Sequence, residues 1–337
     1  MILVTGGTGL VGSHLLLELT GKHEQIRAIH RPQSDIRRVQ EVFSFYLDNP
    51  EERFNKIEWV PGDITDIDSL IEVLDGVEYV YHAAANVSFQ PGSLSSLQHN
   101  NVGGTANVVN ACLESNIAKL CYVSSTAALG TAPVGGEVTE DLIWANSKSR
   151  SMYSISKFQS EMEVWRGMAE GLKAVIVNPS IIIGPSDWKR SSSYLFTAVW
   201  KGMQFYTKGV TGYVDIRDVI TSMVKLMEGE QSNERFTVSS ENLSYQQVLA
   251  MIAEVLGKKP PRFLATPFLI SLAWRGDWLI CKLTGRARSI TRDAAKSSNR
   301  KTLFSNQKIS EATGIVFMPI KKSIQDTARY FLKVHSN

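Results

Sequence analysis

The chain has 337 residues, of which 43% are hydrophobic, so it can bury a large core, and we expect one main domain with a smaller second one. Its formal net charge of +3 gives no reason to expect a nucleic acid partner. The three cysteines have neither metal-binding spacing nor an even count, and the six histidines are scattered, so we predict no metal site. The cysteine usage, together with a first apolar run that has no basic leader, predicts a cytoplasmic protein.

The first predicted element is a short apolar strand that breaks into glycines. The segment reads Ile2-Leu3-Val4-Thr5-Gly6-Gly7-Thr8-Gly9-Leu10-Val11-Gly12 and continues as an apolar pattern with helical spacing. Gly6 permits a tight turn, Gly9 lets the backbone approach a pyrophosphate, and Gly12 lets the helix pack closely on the strand. The helix N-terminus then offers free N–H groups and a positive dipole end to the phosphates. We therefore predict dinucleotide binding.

Strands and helices then alternate along the chain, which predicts a parallel sheet. The second to sixth predicted strands are 26–30, 57–60, 77–81, 120–123 and 172–177. We predict an α/β fold, namely a Rossmann-type doubly wound parallel sheet with a smaller, interleaved and mostly helical C-terminal lobe that binds the substrate. The expected domain bounds are 1–178 for the sheet domain, to which 212–230 return, and 179–211 with 231–337 for the lobe.

Ligands of an open parallel sheet bind beyond the carboxyl ends of its strands, so the residues there are candidates for a site. Arg31 follows the second strand, where a carboxylate would bind the ribose of NAD, whereas an arginine suits the 2′-phosphate of NADP. Asp63 follows the third strand and either accepts from an adenine amino group or caps the next helix. His82 ends the fourth strand, and we interpret it as a hydrogen-bonded core histidine. The small residues after it let a flat cofactor pass close to the backbone.

Hydroxyl groups and a tyrosine–lysine pair predict acid/base chemistry. Ser124, Ser125 and Thr126 follow the fifth strand, where a hydroxyl can hydrogen-bond a substrate carbonyl oxygen. Tyr153 and Lys157 are four residues apart, so they share one face of a helix. A close ammonium favours the phenolate and would lower the tyrosine pKa, which would help the phenol to donate or accept a proton.

These motifs, in this order, resemble the extended short-chain dehydrogenase/reductase superfamily, and the resemblance covers nearly the whole chain. It rests on the glycine turn, Asp63-Ile64, His82-Ala83-Ala84, Asn101-Val102-Gly103-Gly104-Thr105, Ser124-Ser125-Thr126, Tyr153 to Lys157, and Asn178-Pro179 leading to Gly184-Pro185. The resemblance implies that Tyr153 is the catalytic acid/base and that Thr126 orients the substrate oxygen. It implies that Lys157 holds the nicotinamide ribose and lowers the pKa of the tyrosine.

The predicted cofactor is NADP, with NAD as the alternative. The predicted cofactor-binding residues are Gly6, Thr8, Gly9, Leu10, Val11, Gly12, Arg31, Asp63, Ile64, Ala83, Ala84, Ala85, Asn101, Ser124, Tyr153, Lys157, Pro179 and Ile182. The predicted substrate-binding residues are Asn86, Ser125 and Asn178.

Several segments of the chain distinguish between branches of this superfamily. Sugar-nucleotide dehydratases carry an Asp-Glu pair directly after the threonine, whereas Thr126 precedes two alanines, so dehydration is not expected. Many sugar-nucleotide epimerases have an arginine and a histidine where this chain has Gly212 and Asp215. The segment 27–31 and the tail segments 283–286 and 290–293 resemble instead the dihydroflavonol-reductase-like group.

Three functions therefore stay open. The leading hypothesis is an NADPH-dependent reductase of a small-molecule carbonyl compound. The alternative is a nucleoside-diphosphate-sugar 4-epimerase that holds NAD tightly, and the third is a dinucleotide sensor without turnover. Relatives pack two subunits through helices equivalent to 94–115 and 153–170, so a homodimer is expected by analogy. The apolar stretch 267–280 is followed by the basic run 282–301. The stretch either covers a substrate pocket or belongs to the core, or it lies on a membrane, and we favour the pocket or core.

Overall fold

The computed structural model describes residues 1–87, 94–145, 150–266, 275 and 299–335. In these residues a parallel sheet of seven strands forms the centre of the fold. The strands are β1 (Ile2–Thr5), β2 (Ile26–His30), β3 (Ile57–Pro61), β4 (Tyr79–His82), β5 (Lys119–Val123), β6 (Glu137–Val138), β7 (Ala174–Pro179), β8 (Ile181–Ile183), β9 (Phe205–Tyr206), β10 (Val210–Asp215), β11 (Glu234–Val238), β12 (Glu241–Ser244), β13 (Phe263–Leu264) and β14 (Leu303–Phe304).

Helices cover both faces of this sheet. The α-helices of the described residues are α1 (Leu10–Leu19), α2 (Arg37–Ser44), α3 (Pro50–Phe54), α4 (Ile67–Val73), α5 (Leu94–Leu97), α6 (Gly104–Glu114), α7 (Met152–Ala169), α8 (Tyr194–Trp200), α9 (Ile216–Glu228), α10 (Tyr245–Val255), α11 (Gln307–Thr313) and α12 (Ile320–His335). A π-helical turn (Gln98–Gly103) leads into α6, and a 3₁₀ turn (Thr126–Ala128) follows β5.

The order of the strands in the sheet is β11-β7-β5-β4-β1-β2-β3. The chain runs outward from β1 to β3 and then returns to place β4 on the other side of β1. Ligands of such sheets bind in the crevice beyond the carboxyl ends of the strands at this switch point. The register places Thr5 of β1 beside His82 of β4, and His82 beside Tyr122 of β5, so these three strand ends are level.

Two apolar cores, one on each face of the sheet, make the fold doubly wound. One core joins residues of α1 and α9, such as Leu16 and Met223, to Val4 and Val175 of the sheet. The other core joins Val108 of α6 and Val164 of α7 to further sheet residues, Leu120 among them. A third core holds the second lobe together and contains buried residues of α8, α10 and α12. The predicted fold class is confirmed.

The predicted second to sixth strands are present, with their ends displaced by at most two residues. The predicted return to the flank of the sheet is α9, since its buried residues belong to the core that lies under β1 and β7. One part of the predicted division of the chain was wrong. β11 lies inside 231–337, which we assigned to the substrate lobe, but it pairs in parallel with β7 and forms an edge of the sheet.

Several expectations concern residues outside the described parts of the chain. The apolar stretch 267–280 lies there except for Arg275, and so do Cys281 and the basic run apart from its last members, Arg300 and Lys301. Cys112 and Cys121 are buried free thiols. Among the described helices, we find none with both the length and the apolar character that crossing a bilayer requires.

Candidate active site

The glycine turn between β1 and α1 is shaped by close backbone contacts. Gly6 has a φ of 73°, a left-handed conformation that side chains disfavour. A Cβ atom at Gly6 would lie 2.5 Å from the Ala84 backbone nitrogen, and one at Gly12 would lie 2.1 Å from the Gly6 carbonyl oxygen. At Gly9 the nearest described atom would be 3.4 Å away, so that position borders open space. The turn therefore leaves room for a ligand at Gly9 and for none at Gly6 or Gly12.

The N-terminus of α1 fits a pyrophosphate. Gly9 is its N-cap, no side chain caps it, and its first turn contains no acidic residue. The turn also contains Thr8, Leu10 and Val11, and its backbone N–H groups and the positive dipole end point to the same open space. These residues therefore fit a nicotinamide dinucleotide. They would hold its phosphates.

Two of the predicted cofactor-binding residues, Arg31 and Asp63, follow the ends of β2 and β3. Arg31 is exposed at the end of β2, and within the described residues its side chain has no ion pair. Asp63 does not cap the next helix, because Asp66 is the N-cap of α4. Instead, the Asp63 carboxylate accepts from the backbone N–H of Thr65 at 3.0 Å and from its hydroxyl at 2.9 Å. The capping interpretation of Asp63 was wrong, and the carboxylate stabilises its own loop.

Asn101 fixes the loop that follows β4. It lies in the π-helical turn, is 1% exposed, and its Oδ1 accepts from the backbone N–H of Asn86 at 2.7 Å, while its Nδ2 donates to the Asn86 carbonyl at 3.0 Å. The clamped loop carries Ala83, Ala84 and Ala85 past the glycine turn, and the side chain of Asn86 is exposed. On the other side of this loop, Ile64 packs against Gly104, where a Cβ atom would lie 2.5 Å from its Cδ1.

The serines after β5 have different partners. Ser124 is buried and donates to Oε2 of Glu161 at 2.6 Å. Ser125 caps the 3₁₀ turn, because its Oγ accepts from the backbone N–H of Ala127 at 3.1 Å. Its hydroxyl also lies close enough to the Tyr153 phenol to act on the pKa of that phenol, which it lowers. The structure therefore brings Ser125 to Tyr153.

The role of Thr126 in orienting the substrate oxygen stays a prediction. Thr126 begins the 3₁₀ turn, and within the described residues its side chain has no hydrogen bond. Ser125 is the last residue in extended conformation before the turn, and its side chain interacts with Tyr153 of α7.

Lys157 is held beneath Tyr153 on the same face of α7. It is 1% exposed, and its Nζ donates to the Tyr122 hydroxyl at 2.8 Å and to the Val123 carbonyl at 2.9 Å. Burial lowers the pKa of Lys157 to about 7, although the Glu161 carboxylate opposes this shift. Burial raises the pKa of Tyr153, and the hydrogen bond from Ser125 partly opposes it. The expected lowering of the tyrosine pKa by Lys157 is therefore not found in the protein alone.

A buried ion pair behind the site was not predicted. Glu161, one turn after Lys157, is 1% exposed and receives Arg235 Nη1 of β11 on its Oε1 at 2.8 Å. Its Oε2 accepts from Ser124 and also from Asn178 Nδ2 at 2.8 Å. The spacing of Tyr153, Lys157 and Glu161, four residues each, was a signal that could have revealed the carboxylate.

Three predicted site residues lie on β7 and β8, and one of them, Asn178, belongs to this hydrogen-bond network. Asn178 is fully buried and donates to the Ser125 carbonyl at 3.1 Å, so it supports the serine from behind and does not face a substrate. Its buried Oδ1 has no partner among the described residues. Pro179 is buried at the end of β7, and Ile182 packs on the core beside α1. His82 is a core histidine, as expected, with its ring nitrogens bonded to the hydroxyls of Thr5 and Thr105.

Gly212 and Asp215 lie on β10, at the positions where many sugar-nucleotide epimerases carry an arginine and a histidine. A Cβ atom at Gly212 would lie 2.4 Å from Ser239 Oγ and 2.9 Å from Phe304. Asp215 is 1% exposed, caps α9 and pairs with Arg217 at 2.8 Å. Neither position has room or free charge for a role in binding a diphosphate.

A doubly wound sheet, a glycine turn that fits a dinucleotide and a serine, tyrosine and lysine at one strand end together define a short-chain dehydrogenase/reductase of the extended type. Residues 2–239 match the model of the NAD dependent epimerase/dehydratase family, and the chain belongs to this family. The family is enzymatic and uses a nicotinamide dinucleotide.

Individual relatives agree with this assignment. A protein of Synechocystis sp., provisionally named dihydroflavonol 4-reductase, is 28% identical over 97% of this chain and 93% of its own length. The sterol demethylase protein B of Methylococcus capsulatus is 29% identical over 80% of this chain and 78% of its own length. The crystal structure of gox2253 superimposes with a TM-score of 0.82 at 26% identity, covering 99% of this chain and 98% of that chain.

Proposed function

We propose that this protein is an NADPH-dependent reductase that acts on the carbonyl group of a small molecule. The observation that carries the proposal is that Tyr153 and Lys157 lie about one turn apart on α7, with Tyr153 close to Ser125 at the end of β5. NADPH supplies hydride to the carbonyl carbon when it is bound. The protein orients the carbonyl group and provides the proton.

Ser125 and Tyr153 have different roles at the substrate oxygen: the serine donates a hydrogen bond, and the tyrosine transfers a proton. The Ser125 oxygen already accepts from Ala127, so its own proton is available to the Tyr153 oxygen or to a substrate oxygen. The Tyr153 phenol transfers its proton to the carbonyl oxygen and becomes a phenolate. The Lys157 ammonium stabilises that phenolate by its charge, and proton uptake from water restores the phenol. The raised pKa of Tyr153 means that the phenol is protonated and ready to donate at neutral pH.

The same geometry argues against the two neighbouring reactions of the family. With Ser125 as the hydroxyl, the next residues are Thr126 and Ala127, so the acid pair of a dehydratase is absent there. Gly212 has no space for the arginine of many sugar-nucleotide epimerases. The Synechocystis relative, named as a reductase, supports the redox alternative.

The preference for NADPH rests on Arg31. An exposed guanidinium without an ion partner among the described residues suits a phosphate on the ribose, which it can bind through two hydrogen bonds. Asp63 Oδ1 accepts hydrogen bonds from Thr65, so an adenine amino group would contact either the other carboxylate oxygen of Asp63 or the neighbouring backbone. The homodimer through α6 and α7 stays a prediction, and sedimentation equilibrium tests it.

Spectrophotometry of NADPH oxidation tests the proposal. The purified protein is mixed with NADPH or NADH and a panel of aldehydes and ketones that includes a dihydroflavonol, with Tyr153→Phe as the matched control. We expect turnover with NADPH and at least one carbonyl, and roughly a hundredfold or greater loss of kcat in the control, as for removal of a general acid. Interconversion of UDP-glucose and UDP-galactose without any carbonyl reduction would overturn the proposal in favour of the epimerase.

A further inference from the structure

The Lys157 ammonium is held from the strand that carries the catalytic serine. Two of its three N–H groups donate hydrogen bonds, one to the Tyr122 hydroxyl and one to the Val123 carbonyl, and both acceptors lie on β5. Tyr122 is 1% exposed, and its ring also lies under the ammonium, with the centroid 4.6 Å from Nζ. The third proton has no acceptor among the described residues, so it is available to a ligand in the crevice.

Tyr122 is itself fixed by a chain of buried hydroxyl groups. The hydroxyls of Ser160 and Thr105 lie close enough to that of Tyr122 to act on its pKa, which both lower against the larger effect of burial. Thr105 Oγ1 lies 3.1 Å from His82 Nε2, and His82 Nδ1 lies 2.7 Å from Thr5 Oγ1. The members of this chain are between 0 and 1% exposed. It therefore runs from the lysine across β5, β4 and β1 to the residue before the glycine turn.

One arrangement of protons satisfies the whole chain. Thr5 Oγ1 accepts from the backbone N–H of Ala84 at 3.3 Å and donates to His82 Nδ1, so the Nε2–H of His82 donates to Thr105. Thr105 then donates to the Tyr122 oxygen, which also accepts from Lys157. The Ser160 hydroxyl donates to the Ser156 carbonyl at 2.9 Å, so its oxygen can accept the Tyr122 O–H. Burial lowers the pKa of His82 to about 3, which keeps the ring neutral, as this arrangement requires.

The chain of hydroxyls has no exposed member, so it does not lead protons to solvent. Its effect is geometric, because each group limits the rotation of the next and the last one orients the ammonium. We propose that Tyr122 is a positioning residue, which holds the Lys157 ammonium with one proton directed to the crevice and is itself held by Thr105 and His82. This inference rests on the proposed function, since Lys157 acts there on the bound cofactor and on Tyr153.

Four titratable groups near Lys157 affect its pKa or its position, and a test must distinguish the effect of Tyr122 from those of the others. Glu161 and Tyr153 lie on its own helix, Tyr122 lies on β5, and His82 lies on β4. The phenol oxygen of Tyr122 accepts directly from Lys157 Nζ, at 2.8 Å. Tyr122→Phe removes this oxygen and leaves the ring in place, so the ammonium loses one acceptor and the neutral amine is favoured.

Carbon-13 NMR of protein labelled at the lysine Cε atoms tests the inference directly. The resonance of Lys157 is assigned by its absence in Lys157→Met, and its titration midpoint is measured without substrate. In Tyr122→Phe we expect the midpoint to fall by about one pH unit, a tenfold change in the acid constant. The matched control is Tyr81→Phe, since Tyr81 is a buried tyrosine of the neighbouring strand β4 and makes no contact with Nζ.

Kinetics provide a second readout. We expect kcat for carbonyl reduction to fall about tenfold in Tyr122→Phe at neutral pH, because less of Lys157 carries the ammonium charge. We expect kcat to decrease as the pH rises through the Lys157 midpoint, and this decrease to move to lower pH with that midpoint, whereas Tyr81→Phe matches the wild type. Thr105→Val removes the hydroxyl between His82 and Tyr122. We expect the Lys157 midpoint and kcat to fall in this variant too, by less than in Tyr122→Phe. This variant also carries the test if Tyr122→Phe does not fold.

Different results would contradict different statements. An unchanged Lys157 midpoint in both Tyr122→Phe and Thr105→Val, or an equal shift in Tyr81→Phe, would overturn the positioning role. Absence of carbonyl reduction by the wild type would overturn the proposed function, while the NMR titration would still report on the contact between Tyr122 and Lys157.

Discussion

The buried ion pair between Glu161 and Arg235 gives a sharp prediction for Glu161→Gln. The carboxylate faces four donors, from Ser124, Asn178, Arg235 and Trp165, at distances from 2.6 to 3.5 Å. A glutamine has one oxygen and one NH₂ group at this place, so its NH₂ must face donors whichever way the amide is turned. The substitution also leaves the guanidinium, whose side chain is only 16% exposed, without its charged partner.

The expected magnitude follows from that burial. Removing one partner of a buried pair costs about 3–5 kcal/mol, and the residual exposure of Arg235 places this pair near the lower end. At roughly 2 °C per kcal/mol for a chain of this size, the midpoint of thermal unfolding should fall by about 6 °C. The assay is circular dichroism or differential scanning calorimetry at neutral pH.

Glu18→Gln is the matched control for Glu161→Gln. Glu18 forms an ion pair with Lys22 at 3.0 Å, but both side chains are nearly half exposed. Such exposed pairs contribute at most about 1 kcal/mol, so the midpoint should change by no more than about 2 °C. Equal small shifts in the two variants would refute the reasoning. A cycle with Arg235→Met should show coupling, because the double variant no longer contains an isolated buried charge.

Three further predictions concern the glycine turn, a buried histidine and the cofactor. Gly12→Ala should abolish binding of NADPH, measured by its fluorescence, because a Cβ atom would lie 2.1 Å from the Gly6 oxygen, whereas Gly136→Ala, with its nearest atom at 3.5 Å, should bind normally. Burial lowers the pKa of His82 to about 3, so the unfolded chain takes up a proton below about pH 6.5 that the folded protein refuses. Stability should therefore fall as the pH drops from 6.5 toward 3, and this slope should be smaller in His82→Gln by up to about 1.4 kcal/mol per pH unit; identical slopes would contradict the assignment. Arg31→Glu should reduce kcat/KM for NADPH by roughly 10- to 100-fold relative to NADH, and an unchanged ratio would remove the support for NADP.

Local patterns predicted most of the sheet, for a physical reason. Strands that are buried on both faces are short apolar runs, and β5 and β7 are of this kind. β11 was missed because it is an edge strand in which Glu234 and Arg235 precede the apolar residues. The burial of Arg235 depends on Glu161, which is 74 residues away in the chain and cannot be seen in a local pattern.

In the site, too, features that depend on spacing within one element could be predicted, and contacts between elements could not. The glycine turn and the pair of Tyr153 and Lys157 depend on spacing within one element, so the sequence predicts where they lie in the fold, and their roles stay predictions. The choice between Ser125 and Thr126 depends on where β5 ends and how the 3₁₀ turn begins, which spacing alone does not determine. The partner of Lys157, Tyr122, belongs to another strand and required the fold.

Transfer of deuterium is the measurement that tests the central claim most directly. The protein is incubated with a carbonyl substrate and NADPH that carries deuterium at the transferable position of the nicotinamide, and the alcohol is analysed by mass spectrometry and NMR. We expect one deuterium on the carbinol carbon, and a large loss of product in Tyr153→Phe with NADPH binding retained. An alcohol without deuterium, or full product formation by Tyr153→Phe, would contradict the account.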